Sequence, residues 1–159
     1  MRITLIYVGS TSEKFYTEAD HEYEKRIGAF GDFKSVYIKE ERLENESSQA
    51  LIEKALSLEE QRIKAAIPKG SAVVCLCIEG KELSSEGLAK YIDDCGSKGI
   101  SSICFIIGSS HGISKSLKAV SSLKLSMSQM TFPHMLARVM LTEQIYRAFT
   151  IINGKNYHK

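Results

Sequence analysis

Several residue types and patterns are scarce in this sequence of 159 residues. Tryptophan is absent, proline occurs twice, and the net charge is only +2, which neither requires nor excludes a nucleic-acid partner. No apolar run is long enough to span a bilayer. The apolar segment at residues 1–9 lacks a small-residue cleavage site, so it predicts a first strand and not a signal peptide. We therefore expect one domain, residues 1–159, in the cytoplasm.

Cysteine is also sparse, with four residues: Cys75, Cys77, Cys95 and Cys104. Cys75 and Cys77 lie two apart in an apolar run, so in a strand their side chains point to the same face. A zinc site needs a closely spaced pair of the C-x-x-C type with matching ligands, and the sequence has none. We therefore expect reduced cysteines that pack as small hydrophobic residues, and no metal.

Strand-like and helix-like spacing of apolar residues alternate along the chain. Strands are predicted at residues 2–8, 33–38, 72–78, 103–107 and 123–125. Five helices are predicted. The first follows Ser12, with apolar residues at helical spacing: Phe15, Ala19, Tyr23, Ile27 and Phe30. The second runs along Leu51, Ala55, Leu58, Arg62 and Ala66, and the others are at residues 84–95, after Ser114, and from Pro133 to about residue 152. This alternation predicts an α/β fold with an open, largely parallel sheet flanked by helices.

Ligands of open parallel sheets bind outside the carboxyl ends of the strands, and three loops follow the C-terminal strands. Residues 79–82 form either a plain polar turn or a loop that places Lys81 beside a ligand. Residues 108–112, here called the glycine loop, contain two glycines that allow a close backbone approach. This loop matches neither G-x-G-x-x-G nor a P-loop, so a phosphate site is weakly supported. His111 within it is either a ligand contact or a surface histidine.

The third loop, residues 126–132, is here called the methionine loop. It combines hydroxyl groups with Met127, Met130 and Phe132 and contains no acidic residue. Such a composition suits a mostly apolar cofactor pocket with a few polar groups, and it equally suits a loop that covers the core.

The last predicted helix is apolar over most of its circumference, which indicates burial on several sides or contact with a partner subunit. His134, Arg138 and Thr142 recur every four residues and share a polar face, which either faces a substrate or makes ion pairs and caps. After this helix, Tyr157 and His158 offer an aromatic ring and an imidazole that can contact a nucleotide, although a frayed terminus has the same composition.

Several segments, in order along the chain, resemble the RlmH family, the SPOUT-class methyltransferases that modify N3 of a pseudouridine in 23S ribosomal RNA. They are residues 3–9, 23–26, 79–81, 83–89, 105–108, 125–126, 130–134, 138–139, 143–144, 146–148 and 157–158. Met-Thr-Phe-Pro-His at residues 130–134 and Glu-Gln-Ile-Tyr-Arg-Ala at residues 143–148 are highly specific together.

The resemblance implies a SPOUT fold with a deep trefoil knot in the C-terminal half, a homodimer, and S-adenosyl-L-methionine (SAM) as the methyl donor without a metal. It also implies 23S rRNA of the assembled ribosome as partner, with no role for DNA or a membrane. Carried over by position, the cofactor contacts are Leu76, Gly108, Met127, Ser128, Gln129, Met130, Thr131 and Phe132. We expect the catalytic contacts to the uracil ring and its phosphates from His134, Arg138, Tyr157 and His158.

The sequence departs from the family pattern at three positions. Ser109 stands where a second glycine is usual, His111 replaces Asn or Asp, and Ser10 replaces a lysine. The altered glycine loop leaves open a non-catalytic RNA-binding or ribosome-binding module that keeps the fold without SAM. A nucleotide hydrolase is disfavoured, because the chain has no P-loop and no cluster of metal-binding carboxylates.

Overall fold

A computed structural model describes residues 1–10, 13–45 and 47–158. In this part of the chain strands and helices alternate as predicted. The strands are β1 (Arg2–Val8), β2 (Asp32–Ile38), β3 (Ala72–Glu82), β4 (Ser102–Ile107) and β5 (Leu123–Ser126). The helices are α1 (Lys14–Ile27), α2 (Gln49–Ala66), α3 (Ser85–Ser97), α4 (Lys115–Val120) and α5 (His134–Ile152).

The described strands form one five-stranded sheet in the order β2-β1-β4-β3-β5, and every pair is parallel. The predicted open parallel sheet is therefore confirmed. β4 lies at the centre, and all six of its residues are buried. After Ser102 the strand is an unbroken apolar run, as a strand covered on both faces requires.

Successive side chains of β4 supply the two halves of the core, because neighbouring residues of a strand point to opposite faces. Ile103, Phe105 and Ile107 pack with α1, α3 and α5 on one face. Cys104 and Ile106 pack on the other face with α2 and α4. Burial of each such apolar side chain stabilises the folded state by about 1.5–3 kcal/mol. The sheet is therefore stabilised by the helices that cover both of its faces.

The cysteines behave as predicted. All four are free thiols; Cys75, Cys95 and Cys104 are buried and Cys77 is half-buried. Burial raises the pKa of the Cys75 thiol to about 11 and that of Cys104 to about 12. These thiols therefore stay protonated and pack as hydrophobic groups.

The predicted apolar faces of α1 and α2 were partly wrong. Phe15 is 59% exposed, whereas Asp20 is 2% exposed because it pairs with a cation on α5. In α2 the exposed side chains include Leu51, while the buried ones include Glu59 and Glu60. The predicted cap Ser12 lies outside the described residues, and α1 begins at Lys14.

Residues 79–82 were predicted as a loop, but they extend β3 to Glu82. The register of β3 against β5 shifts between Leu76 and Lys81. Gly80 permits this shift, because a Cβ there would lie 2.7 Å from the backbone carbons of Lys124 and Leu125. The end of β3 is therefore a strand that bulges and pairs again with β5.

None of the described helices is long and apolar enough to cross a membrane.

Candidate functional site

The carboxyl ends of β3, β4 and β5 surround a cavity of about 640 Å³, here called the main cavity. The glycine loop and the methionine loop both line it, together with the end of β3 and the first turns of α5. The predicted site therefore lies where an open parallel sheet places its ligands, and a cavity of this volume suits a cofactor-sized molecule.

The glycine loop has a shape that side chains would disturb. A Cβ on Gly108 would overlap the carbonyl group of Gly112 and lie 2.7 Å from the Ile113 Cγ1. Gly112 has φ of +87°, a region that other residues rarely adopt. The Gly112 N–H donates to the Ser109 carbonyl at 2.9 Å, which closes the turn. Both glycines are thus required by the geometry of this wall.

The methionine loop follows β5 and turns by way of its own hydroxyl groups. The Ser126 hydroxyl donates to the Ser128 carbonyl at 3.0 Å, and the Met130 N–H donates to the Ser128 Oγ at 3.0 Å. Seven of the eight predicted cofactor contacts line the main cavity: Leu76, Gly108, Met127, Ser128, Met130, Thr131 and Phe132. Gln129 is exposed and lies outside the lining. Their contact with a cofactor stays a prediction.

His134, the first residue of α5, also lines the main cavity. Its Nε2 is buried and has no hydrogen-bond partner among the described residues. Gly9 leaves room for the ring, because a Cβ there would lie 3.1 Å from this nitrogen. A buried nitrogen without a partner costs free energy. Because Nε2 lies against Gly9, which does not line the main cavity, a ligand in that cavity would reach this atom only after the ring turns.

Arg138, one turn further along α5, is 8% exposed and faces α1. Its Nε lies 2.9 Å from the Asp20 Oδ2, its Nη2 lies 3.4 Å from the Glu24 Oε1, and its guanidinium stacks 3.8 Å from the centre of the Tyr7 ring. The Thr142 hydroxyl donates to the Arg138 carbonyl at 2.8 Å. Of the three residues on the predicted polar face of α5, Arg138 and Thr142 are therefore buried against the protein's own residues, and only His134 lines the main cavity.

The Asp20–Arg138 pair predicts a measurable pH dependence of folding. Burial raises the pKa of Asp20 to about 6, and this effect outweighs the opposing attraction of Arg138. The unfolded value is near 3.8, so the stability that this group contributes is complete below about pH 3.8 and is lost as the pH rises through about 6. Relative to Asp20→Asn, the wild type should gain on the order of 1–3 kcal/mol between pH 7 and pH 4.

Urea denaturation of both proteins across this pH range measures the difference. Because the comparison is made with Asp20→Asn, the titration of groups that do not interact with Asp20 cancels. A difference that is constant with pH would show that Asp20 keeps an ordinary pKa in the folded protein.

The C-terminal tail lies on α5 and α3, away from the main cavity lining. The Tyr157 hydroxyl donates to the Glu143 Oε1 at 3.0 Å, and the Arg147 guanidinium lies 4.7 Å from the centre of the Tyr157 ring. The His158 Nε2 lies 2.7 Å from the Glu86 Oε1. The structure thus brings His134 to the predicted cofactor contacts, while Arg138, Tyr157 and His158 are placed elsewhere in the chain.

Of residues 79–82, considered above as a possible ligand loop, only Glu79 lines the main cavity, and several other lining residues were missed by the sequence analysis. Glu79 and Lys118 form an ion pair beside the main cavity, and the hydrogen bond from Lys118 lowers the pKa of Glu79. Cys77, Ile78 and Ala137 add apolar wall. Cys77, Ile78 and Glu79 lie inside β3, Lys118 lies on α4 and Ala137 lies in the first turn of α5. Only the nearness of Ala137 to the methionine loop was visible in the sequence.

Comparison with known proteins identifies the family. The model described as "Predicted SPOUT methyltransferase" matches residues 1–158. A relative from Methanococcus maripaludis, named "Putative ribosomal RNA large subunit methyltransferase H", is 46% identical over 159 residues, the full length of both chains. The chain belongs to the RlmH family of SPOUT methyltransferases.

Solved structures show the same fold at low sequence identity. A "Probable Methyltransferase" from Bordetella pertussis superposes with a TM-score of 0.58 at 12% identity, covering 93% of this chain and 96% of its own. A methyltransferase from Legionella pneumophila, solved with bound SAM, has a TM-score of 0.50 at 13% identity and covers 93% of this chain and 66% of its own. The SPOUT fold expected from the resemblance is thus confirmed, while the knot stays a prediction.

Proposed function

We propose that this chain, acting as a single domain, transfers the methyl group of SAM to N3 of a pseudouridine in large-subunit ribosomal RNA. Membership of the RlmH family and the name of the Methanococcus maripaludis relative support the reaction and the type of RNA. The observation that carries the proposal is the main cavity itself, in which two loops at the carboxyl ends of parallel strands meet beside His134.

The residues around the main cavity fit SAM. Leu76, Met127 and Phe132 offer apolar surface to an adenine ring and a thioether-like chain, and the glycine loop brings backbone close to the ligand. The His134 ring adds a polar group to the lining, and its Nε2 has no hydrogen-bond partner among the described residues. When bound, SAM supplies an electrophilic methyl carbon.

The chemistry at N3 sets what the protein has to do. N3 loses its proton to water or a nearby base, and the electron pair left on the nitrogen forms the new N–C bond as the S–C bond breaks. N3 of a uracil ring is a weak acid, so hydrogen bonds and cations that favour the anion lower the barrier. We assign to His134 the task of orienting the ring, and the main gain comes from alignment of the reacting atoms.

We further propose that the protein acts as a homodimer on the assembled ribosome. Tyr157 and His158 do not line the main cavity of their own chain, so the tail can contribute to a methyl-transfer site only by moving or by serving a second subunit. The second arrangement agrees with the dimer that the family resemblance implies. Arg138 would contact substrate only after release from Asp20.

The test is methyl transfer from radiolabelled SAM to ribosomes that lack the modification, followed by nuclease digestion and mass spectrometry of the nucleosides. We expect N3-methylpseudouridine. A methyl group on another atom would contradict the N3 assignment alone. Full SAM binding without transfer to any ribosomal particle would contradict the enzymatic proposal, and absence of SAM binding would favour the non-catalytic ribosome-binding module.

The same assay tests the assigned residues. We expect His134→Ala to lower kcat by about 10–100-fold, whereas the exposed His21→Ala on α1 should change it less than about twofold. The double variant Tyr157→Ala, His158→Ala should lose turnover but keep its SAM affinity. Unchanged turnover in either case would contradict the role given to those residues.

A further inference from the structure

The glycine loop is held from its outer side by two carboxylates of the N-terminal half. The Ser109 hydroxyl donates to the Glu59 Oε2 on α2 at 2.9 Å. The N–H and the hydroxyl of Ser110 both donate to the Glu40 Oε1, at 3.0 Å and 2.7 Å. The position of the loop that lines the main cavity therefore depends on side chains that do not line it.

Glu59 is the more deeply buried of the two acids, at 3% exposure. Its second oxygen accepts the Glu41 N–H at 2.9 Å, so both oxygens are engaged. Among the described residues Glu59 has no ion pair, unlike its neighbour Glu60, which pairs with Lys64. Burial raises the pKa of Glu59. A buried carboxylate without a cation is costly, and here its two hydrogen bonds tie α2 to the glycine loop and to the segment after β2.

Ser109 passes this restraint to the two glycines. It follows Gly108 directly, and its carbonyl accepts the Gly112 N–H at 2.9 Å. Ser109 is also the position at which the sequence departs from the glycine usual in the family. The hydroxyl that this departure introduces is the group that donates to Glu59.

We infer that Glu59 is a positioning residue for SAM binding, which it assists by fixing the glycine loop through the Ser109 hydroxyl. This inference rests on the proposed function. It also explains how the pocket tolerates serine in place of glycine, since the added side chain points to Glu59 and is fully used there.

The test is the dissociation constant for SAM, measured by isothermal titration calorimetry on the full chain. Glu59→Ala leaves the Ser109 hydroxyl and the Glu41 N–H without their acceptor, and we expect the Kd to rise by about tenfold. Glu59→Gln keeps one acceptor oxygen and replaces the other by an N–H that can donate to the Ser109 Oγ. We therefore expect it to recover the affinity to within about threefold of wild type.

Glu60→Ala is the matched control. Glu60 is its buried neighbour on α2 and bonds to Lys64 and to the Ser116 hydroxyl at 2.5 Å. Among the described residues it makes no hydrogen bond to the glycine loop. We expect a comparable loss of thermal stability in both alanine variants but a SAM affinity within about twofold of wild type for Glu60→Ala. Equal effects of the two substitutions on Kd would overturn the inference and assign Glu59 to general stability.

A double-mutant cycle tests the route through Ser109. If Glu59 acts through this hydroxyl, Glu59→Ala combined with Ser109→Ala should weaken SAM binding no more than Glu59→Ala alone. Additive losses would overturn the inference while leaving the proposed function intact. A wild-type protein that binds no SAM would instead remove the proposed function, and this inference with it.

Discussion

Gly108→Ala should abolish SAM binding, with a Kd raised by at least about 100-fold. The new methyl group would overlap the Gly112 carbonyl and clash with the Ile113 side chain. The Gly112 carbonyl belongs to the backbone, so it cannot move aside by a change of rotamer. The glycine loop would have to open, which removes one wall of the main cavity. Calorimetric titration with SAM measures the effect, and circular dichroism shows whether the variant is folded.

The control for this substitution is Gly96→Ala in α3. A Cβ at Gly96 would meet only the Met1 Cε, at an ordinary distance of 3.7 Å, so the substitution should leave SAM affinity unchanged. Alanine inside a helix also stabilises by about 0.5–1 kcal/mol relative to glycine. A folded Gly108→Ala protein with wild-type affinity would show that the glycine loop does not form the binding wall.

Arg138→Met should destabilise the fold by about 3–5 kcal/mol, as expected when one partner of a buried ion pair is removed. The substitution removes the cation that holds down the pKa of Asp20, so the buried carboxyl has to take up a proton on folding at pH 7. It also removes the stacking on Tyr7. Asp20→Asn combined with Arg138→Met removes both charges and should recover most of this loss. Urea denaturation at pH 7 provides the free energies of unfolding.

Arg147→Met supplies the comparison for Arg138. Arg147 lies on the same helix and pairs with Glu143 four residues away, at 2.5 Å, in a more exposed position. We expect its loss to cost about 1 kcal/mol or less. If Arg138→Met instead unfolds like the wild type and fails only in methyl transfer, the guanidinium acts on the substrate and its internal contacts are secondary.

The sequence predicts elements well where one strong local pattern decides them. β4 is an uninterrupted apolar run from Ile103 to Ile107. Ser84 and Ser114 cap α3 and α4 by accepting the N–H groups of Gly87 and Leu117. The methionine loop and the glycine loop were identified because they directly follow such strands. The grouping of seven predicted cofactor contacts around one cavity follows from the parallel order of the sheet.

What escaped prediction depends on contacts between distant residues. Asp20 is buried because Arg138, on the last helix, pairs with it, and no pattern within α1 indicates this. Glu59 is buried where it accepts the hydrogen bond of Ser109, 50 residues further along the chain. The strand at residues 79–82 exists because Gly80 lets β3 approach β5. Each of these requires knowledge of the packed structure, as would the chain crossing of a knot.

The strand order also has consequences for synthesis on the ribosome. β4 is inserted between β1 and β3, so Arg2 is paired with Ser102 and the inner edge of β1 has no partner until β4 has emerged. Helix α5, which packs on α1, is synthesised later still. Parallel pairing between such distant segments is slow, and the nascent β1–β2 pair displays an open apolar edge while translation proceeds. Completion of the sheet is therefore a late event, and the interval before it is when this chain depends most on protection from aggregation.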